Sequence, residues 1–187
     1  VKASRAGEIQ ARPAVVVSNR PKAAGLKAAE ELGVETLVLD HRDFHSREEH
    51  EDRMVAVLKE RKVRLVCLAG YMRLLSSVML SAFPGAVLNI HPSLLPSFPG
   101  ADAQQQALDY GVKVTGCTVH LVDGGLDAGP IIAQSAVDVL EGDSVESLSR
   151  RILVQEHLIY PRAVRLFFQG RLQHSGRRII VRPAGAG

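Results

Sequence analysis

Two short runs do most to limit what this chain can fold into: Val63 to Ala69 and Ala86 to Ile90 are nearly all apolar. Strands that bury one face alternate polar with apolar residues, so unbroken runs of this length suit strands covered on both faces, as in a parallel sheet. The first run stops at Gly70, and the second leads directly into His91-Pro92-Ser93-Leu94-Leu95-Pro96, where two prolines enforce a rigid loop. In open α/β sheets ligands bind beyond the carboxyl ends of the strands. Gly70, His91 and the loops after them are therefore the first places to look for chemistry.

The flanking segments fit the same architecture. Ala14 to Val17 reads as a β-branched strand that stops at Ser18-Asn19 and passes into a helix with Pro21 at its start and Gly33 at its close. Val34 to Leu39 reads as a second strand. Ser46 and Glu49 form a capping box for a helix whose Met54, Val55 and Leu58 make an apolar face. A short helix is expected near Ser76 to Ala82. Beyond Gly111, Val112 to Val122 and Pro130 to Val139 read as longer strands with no helix between them, an antiparallel edge. Asp143 and Glu146 are placed to cap a long helix reaching about Phe168, kinked or divided at Pro161. Arg171 to Val181 suits a terminal hairpin about Ser175-Gly176. The fold class expected is α/β: a mostly parallel sheet with helices on both faces and a mixed, antiparallel carboxyl-terminal edge.

At 187 residues, with 46% hydrophobic and 23% charged side chains, the chain has the size and balance of one globular domain. A net charge of +3 suits a small anionic ligand as well as it suits nucleic acid, and no nucleic-acid partner is expected. No apolar run approaches the roughly 18 to 20 residues of a membrane span, and VKASRAGEIQ lacks the apolar centre of a signal peptide, which places the protein in the cytoplasm. Cys67 and Cys117 lie in strand-like runs without metal-ligand spacing and read as buried thiols. His41, His45 and His50 share a polar, solvated stretch, so no metal site is expected.

Asn89 and His91 close the second apolar run, and period-two alternation points both to one side and Ile90 to the other. An amide and an imidazole then converge, although on these residues alone a polar strand end satisfied by neighbouring backbone is the reading to be preferred. Asp127, in VDGGLDAGP, is by itself an ordinary turn aspartate among glycines that let backbone approach a ligand.

Taken together, VCLAGYMRLL, NIHPSLLPSFPG, QALDYGVKVTGCTVH, DAGPIIAQ and QEHLIYP resemble, in order and approximate spacing, the folate-dependent formyltransferase family, from about Ala14 to Gly170. The likeness is greatest to the members that formylate glycinamide ribonucleotide in purine synthesis. It implies a Rossmann-like amino-terminal half and treats residues 1–187 as a single catalytic domain. It implies 10-formyltetrahydrofolate as cosubstrate with no metal, glycinamide ribonucleotide as acceptor, and a monomer or homodimer. It assigns catalysis to Asn89, His91 and Asp127. The folate falls to Leu68, Met72, Arg73, Leu74, Leu75, Asp123, Gly124, Gly125, Leu126 and Asp127, and the ribonucleotide to Gly70, Met72, Ile90, Pro92 and Glu156.

Two relatives share parts of the signature. Formyltetrahydrofolate deformylases resemble the chain but carry a second histidine where it has Pro92, and tRNA-directed members carry an Arg-Gly-Ala-Pro type segment where it has Phe98-Pro99-Gly100-Ala101. Gln104 stands where the family usually has histidine, which removes a titrating group there. The family pattern also begins with a strand and a Ser-Gly-x-Gly-Ser-Asn phosphate loop, a unit of about 25 residues by the usual size of such units, whose counterpart would precede Val1. The alternatives to a transferase are a hydrolase releasing formate and a non-catalytic folate-binding form.

Overall fold

The computed structural model describes residues 1–184, and two compact units emerge from it: residues 1–66 with 75–86, and residues 67–74 with 87–184. The first unit begins with a helical turn, α1 (Lys2–Arg5), followed by β1 (Val15–Ser18), α2 (Ala24–Glu31) and β2 (Glu35–Val38). β1 and β2 pair in parallel, Val15 opposite Glu35 and Val17 opposite Leu37, as their crossover connection requires. α2 starts three residues after Pro21 rather than at it. The helix closes where expected: Gly33 takes φ 62°, its N–H reaches the Glu30 carbonyl at 2.8 Å, and the Val34 N–H reaches that of Ala29 at 2.9 Å.

α3 (Arg47–Glu60) is capped by Ser46, whose hydroxyl accepts from the Glu49 N–H at 3.0 Å, while the Glu49 carboxylate takes its return bond from the His45 N–H rather than from Ser46. Met54, Val55 and Leu58 are buried as their spacing predicts, together with Val57. His50 overturns the expectation of a solvated histidine stretch: it is buried, with Nε2 on the Leu39 carbonyl at 3.0 Å and its ring edge-on to Phe44. Its exposed neighbours Glu48, Glu49 and Asp52 share its polar character, and local sequence does not distinguish it from them.

Glu51 is the most enclosed charge in this unit, at 0% exposure. Its carboxylate accepts the Ser76 N–H at 2.9 Å, the Ser76 hydroxyl at 2.7 Å and the Met79 N–H at 3.3 Å, and so satisfies the start of α4 (Ser77–Ala82).

β3 (Val66–Leu68), β4 (Val87–His91), β5 (Val114–Leu121) and β6 (Ile131–Asp138) form a four-stranded sheet in that order. β4–β5 and β5–β6 are both antiparallel, so the antiparallel edge reaches further into the sheet than expected. β3 is shorter than its apolar run. Cys67 on β3 is exposed, against the expectation of a buried thiol, whereas Cys117 on β5 is buried.

α5 (Ala103–Tyr110), which no sequence argument marked, buries Ala103 and Ala107. α6 (Val145–Phe168) is continuous through Pro161, and its cap is Ser144 rather than Asp143: Ser144 and Ser147 bond reciprocally, while Asp143 accepts from Arg151 at 2.8 Å. Leu148, Ile152, Ile159, Ala163 and Leu166 give α6 its buried stripe. The hairpin β7 (Leu172–Ser175) with β8 (Arg178–Val181) turns at Gly176, as expected. No described helix is long and apolar enough to cross a membrane.

Replacing Glu51 with alanine leaves buried amides without an acceptor. We expect a loss of about 3 kcal/mol of unfolding free energy, read as a lower denaturant midpoint with unchanged slope.

Candidate active site

β4 brings Asn89 and His91 to one side, and β5 lies against them in a fixed register: Asn89 pairs with His120 and His91 with Thr118. His120 is the residue that sequence reasoning passed over. It is 2% exposed, its Nδ1 lies 2.9 Å from the Leu121 carbonyl, and its Nε2 lies 3.2 Å from Asn89 Nδ2. A carbonyl can only accept, so Nδ1 carries the proton. Burial, as the largest effect, lowers the pKa of His120 and favours the neutral ring, whose bare Nε2 accepts an Asn89 amide hydrogen. That bond orients the Asn89 amide and leaves its second hydrogen free to donate elsewhere.

His91, also buried, uses both ring nitrogens. Nε2 donates to the Phe98 carbonyl at 2.8 Å, and Nδ1 faces Asp127 Oδ2 at 3.3 Å. The other Asp127 oxygen, Oδ1, lies 3.6 Å from His120 Nε2, so one carboxylate stands between two imidazoles. Its Oδ2 also accepts the Gly100 N–H at 2.8 Å. Asp127 has φ 47° and Phe98 φ 52°, left-handed conformations that cost a non-glycine residue on the order of 1 kcal/mol each and that gather at functional sites.

The loop between β4 and α5 is tied down by Thr118. Its hydroxyl accepts the Leu95 N–H at 3.0 Å and an amide hydrogen of Gln134 at 3.0 Å, and donates to the Ser93 carbonyl at 2.7 Å. Gln134 also donates to the Leu95 carbonyl at 2.9 Å. The Leu95-Pro96 bond within this loop is cis.

The remaining expected residues are arranged as follows. Leu68 ends β3, and Gly70 turns the chain at φ 65°. Met72 is 78% exposed, Leu74 is exposed, and Arg73 Nε is buried without a hydrogen bond. Leu75 falls in the core of the first unit. Asp123 accepts the Gly125 N–H at 2.9 Å, closing a turn over Gly124, and Leu126 is exposed before Asp127. Ile90 pairs with Val119, Pro92 follows His91 at the start of the rigid loop, and Glu156 lies on α6 with its pKa raised by burial. The structure thus brings Asn89, His91 and Asp127 together through His120, which bonds Asn89 and faces the carboxylate that also faces His91. That group can stabilise negative charge growing on an oxygen and pass a proton between two atoms.

The formyl transferase family matches residues 1–164 of the chain. The trifunctional purine biosynthetic protein adenosine-3 of Gallus gallus is 49% identical over 85% of this chain, which spans 16% of that protein. The phosphoribosylglycinamide formyltransferase of Bacillus subtilis is 41% identical over 83% of this chain and 80% of its own length. Among solved structures, glycinamide ribonucleotide transformylase 1 from Symbiobacterium toebii is similar with a TM-score of 0.95 and 55% identity, covering 96% of this chain and 85% of its own.

His120 makes stability depend on pH. With its pKa lowered in the folded protein, its contribution is complete above the unfolded value of about 6.5 and is lost as pH falls toward the folded one. Unfolding free energy measured from pH 7 to 5 should fall more steeply in the wild type than in His120→Asn, the difference approaching about 1.4 kcal/mol per pH unit.

Proposed function

The chain belongs to the formyl transferase family, and on that basis we propose that it transfers the formyl group of 10-formyltetrahydrofolate to the amine of glycinamide ribonucleotide. The observation that carries the reading is the Asn89 amide, held by His120 with one hydrogen free beside the His91–Asp127 pair.

In this reading the acceptor's neutral amine attacks the formyl carbon, forming a carbon–nitrogen bond and a tetrahedral intermediate whose oxygen takes up the negative charge. Asn89 donates its free hydrogen to that oxygen. His91 in its protonated form adds positive charge beside it, and can bond it directly once Nε2 leaves the Phe98 carbonyl. Asp127 stabilises that charged ring and relays a proton, directly or through water, from the attacking nitrogen to the departing folate nitrogen. The bond from carbon to the folate nitrogen then breaks, releasing tetrahydrofolate and the formylated amine.

Surface and charge support the binding assignments. Met72 and Leu74 offer exposed apolar side chains that a flat heterocycle covers, and the unpaired Arg73 Nε suits a carboxylate. We assign the folate to Leu68, Met72, Arg73, Leu74, Leu75 and the loop 123–127. The ribonucleotide falls to Gly70, Met72, Ile90, Pro92 and Glu156. Burial, as the largest effect, raises the pKa of the Glu156 carboxyl against the opposing charge of His157, which favours a site that gains a cationic or hydroxyl partner from the substrate.

Asn89→Ala should lower kcat about a hundredfold or more with the fold intact, a loss on the order of 3 kcal/mol of transition-state stabilisation. Turnover is followed as loss of formyl from 10-formyltetrahydrofolate, with and without glycinamide ribonucleotide. Near-normal turnover in the variant would remove Asn89 from catalysis. Formate release without the acceptor would identify a hydrolase, and folate binding without turnover a non-catalytic form.

A further inference from the structure

Tyr160 lies on α6, a long helix fastened to its surroundings at several places. Arg151 donates to the Asp138 carbonyl at 2.9 Å, and the Gln155 side chain accepts from the Ser135 hydroxyl at 2.8 Å, which ties the helix to β6. Further along, the Tyr160 hydroxyl lies 2.7 Å from the Leu68 carbonyl and 3.0 Å from that of Leu88. One phenol proton is therefore shared between the last residue of β3 and the second residue of β4. Burial, as the largest effect, raises the pKa of the phenol well above its ordinary value, so it remains a donor.

The two carbonyls are not equivalent to others in the sheet. Leu68 is the last residue of β3, immediately before the loop that carries Gly70, Met72, Arg73 and Leu74. Leu88 immediately precedes Asn89. Glu156 lies one helical turn before Tyr160, at a spacing that sets both on the same face of α6. A single hydroxyl thus links the root of the folate loop, the strand bearing the oxyanion donor, and the helix bearing the acceptor's carboxylate. A tyrosine that served packing alone needs only its ring.

We propose that the Tyr160 hydroxyl is a positioning residue for formyl transfer, holding the folate loop, β4 and Glu156 in register so that both substrates bind in one geometry. The inference rests on the functional reading above. Because the hydroxyl does not touch the reacting atoms, its removal should weaken the binding of both substrates and leave the chemical step largely unchanged.

The test compares the full-length wild type with Tyr160→Phe and with Val57→Ala, a core truncation in the first unit that belongs to no candidate set. In Tyr160→Phe, KM for 10-formyltetrahydrofolate and KM for glycinamide ribonucleotide should rise together, about fivefold, the scale of one lost hydrogen bond, with kcat within about twofold of wild type. Val57→Ala should lower the unfolding midpoint and move neither KM. Incorporating para-aminophenylalanine at position 160 supplies two N–H donors, one for each carbonyl, and should restore both constants.

Loss of midpoint in Tyr160→Phe with both KM values unchanged would reduce the hydroxyl to a structural bond and overturn the proposal, as would a rise in only one of them. Should Tyr160→Phe fail to fold, the para-aminophenylalanine variant decides alone: wild-type constants support the proposal and raised ones overturn it. A wild type with no transfer at all would sink the functional reading and this inference with it, whereas an active wild type matched by Tyr160→Phe sinks only the inference.

Discussion

The antiparallel ladder between β4 and β5 sets Asn89 opposite His120 and His91 opposite Thr118, and the candidate chemistry depends on that register. A slip of one residue would turn every side chain of β4 to the other face. With the register fixed, Asn89 and His91 each have a neighbour that sets their orientation: His120 faces the Asn89 amide, and Thr118 secures the loop whose Phe98 carbonyl faces His91. A distortion of the β5–β6 pairing falls between Val119 and His120, where an irregularity of this kind re-aims a side chain.

The third member of the group arrives from a loop, and its placement is costlier. Asp127 adopts a left-handed backbone, and Gly129 soon after it runs so close to β5 that an added Cβ would lie 1.8 Å from the Leu121 carbonyl oxygen. Only glycine permits that approach. The compensation is local: the Asp127 carboxylate takes the Gly100 amide hydrogen and faces the two buried imidazoles, so the strained segment is held by the same contacts that give it a use.

Much of this was legible in residue order, because strand alternation alone set Asn89 and His91 on one side and a glycine-rich turn marked the Asp127 loop. The parallel β1–β2 pair, the long strands β5 and β6, and the terminal hairpin followed from apolar runs and turn residues that act locally. His120 was not legible, since its partner is 31 residues away and appears only once the β4–β5 register is known. Tyr160, Thr118 and Gln134 were hidden for the same reason: each bonds to backbone brought near by the fold. His50 failed in the opposite sense, because local composition marks its stretch as solvated and only packing shows that it, like Glu51 beside it, turns inward. The cap of α6 shows how close a local signal can come, with Ser144 in the role given to its neighbour Asp143.

The candidate site depends on His120 being a neutral acceptor that orients the Asn89 amide, and nitrogen-15 NMR of the histidine rings at neutral pH reads this directly. His120 should carry its proton on Nδ1 and leave Nε2 bare, with a coupling or exchange signature linking Nε2 to the Asn89 side-chain amide. A His120 protonated on Nε2 would contradict it: that hydrogen would require the Asn89 oxygen as its partner, and the amide hydrogen assigned to the developing oxyanion would then point elsewhere.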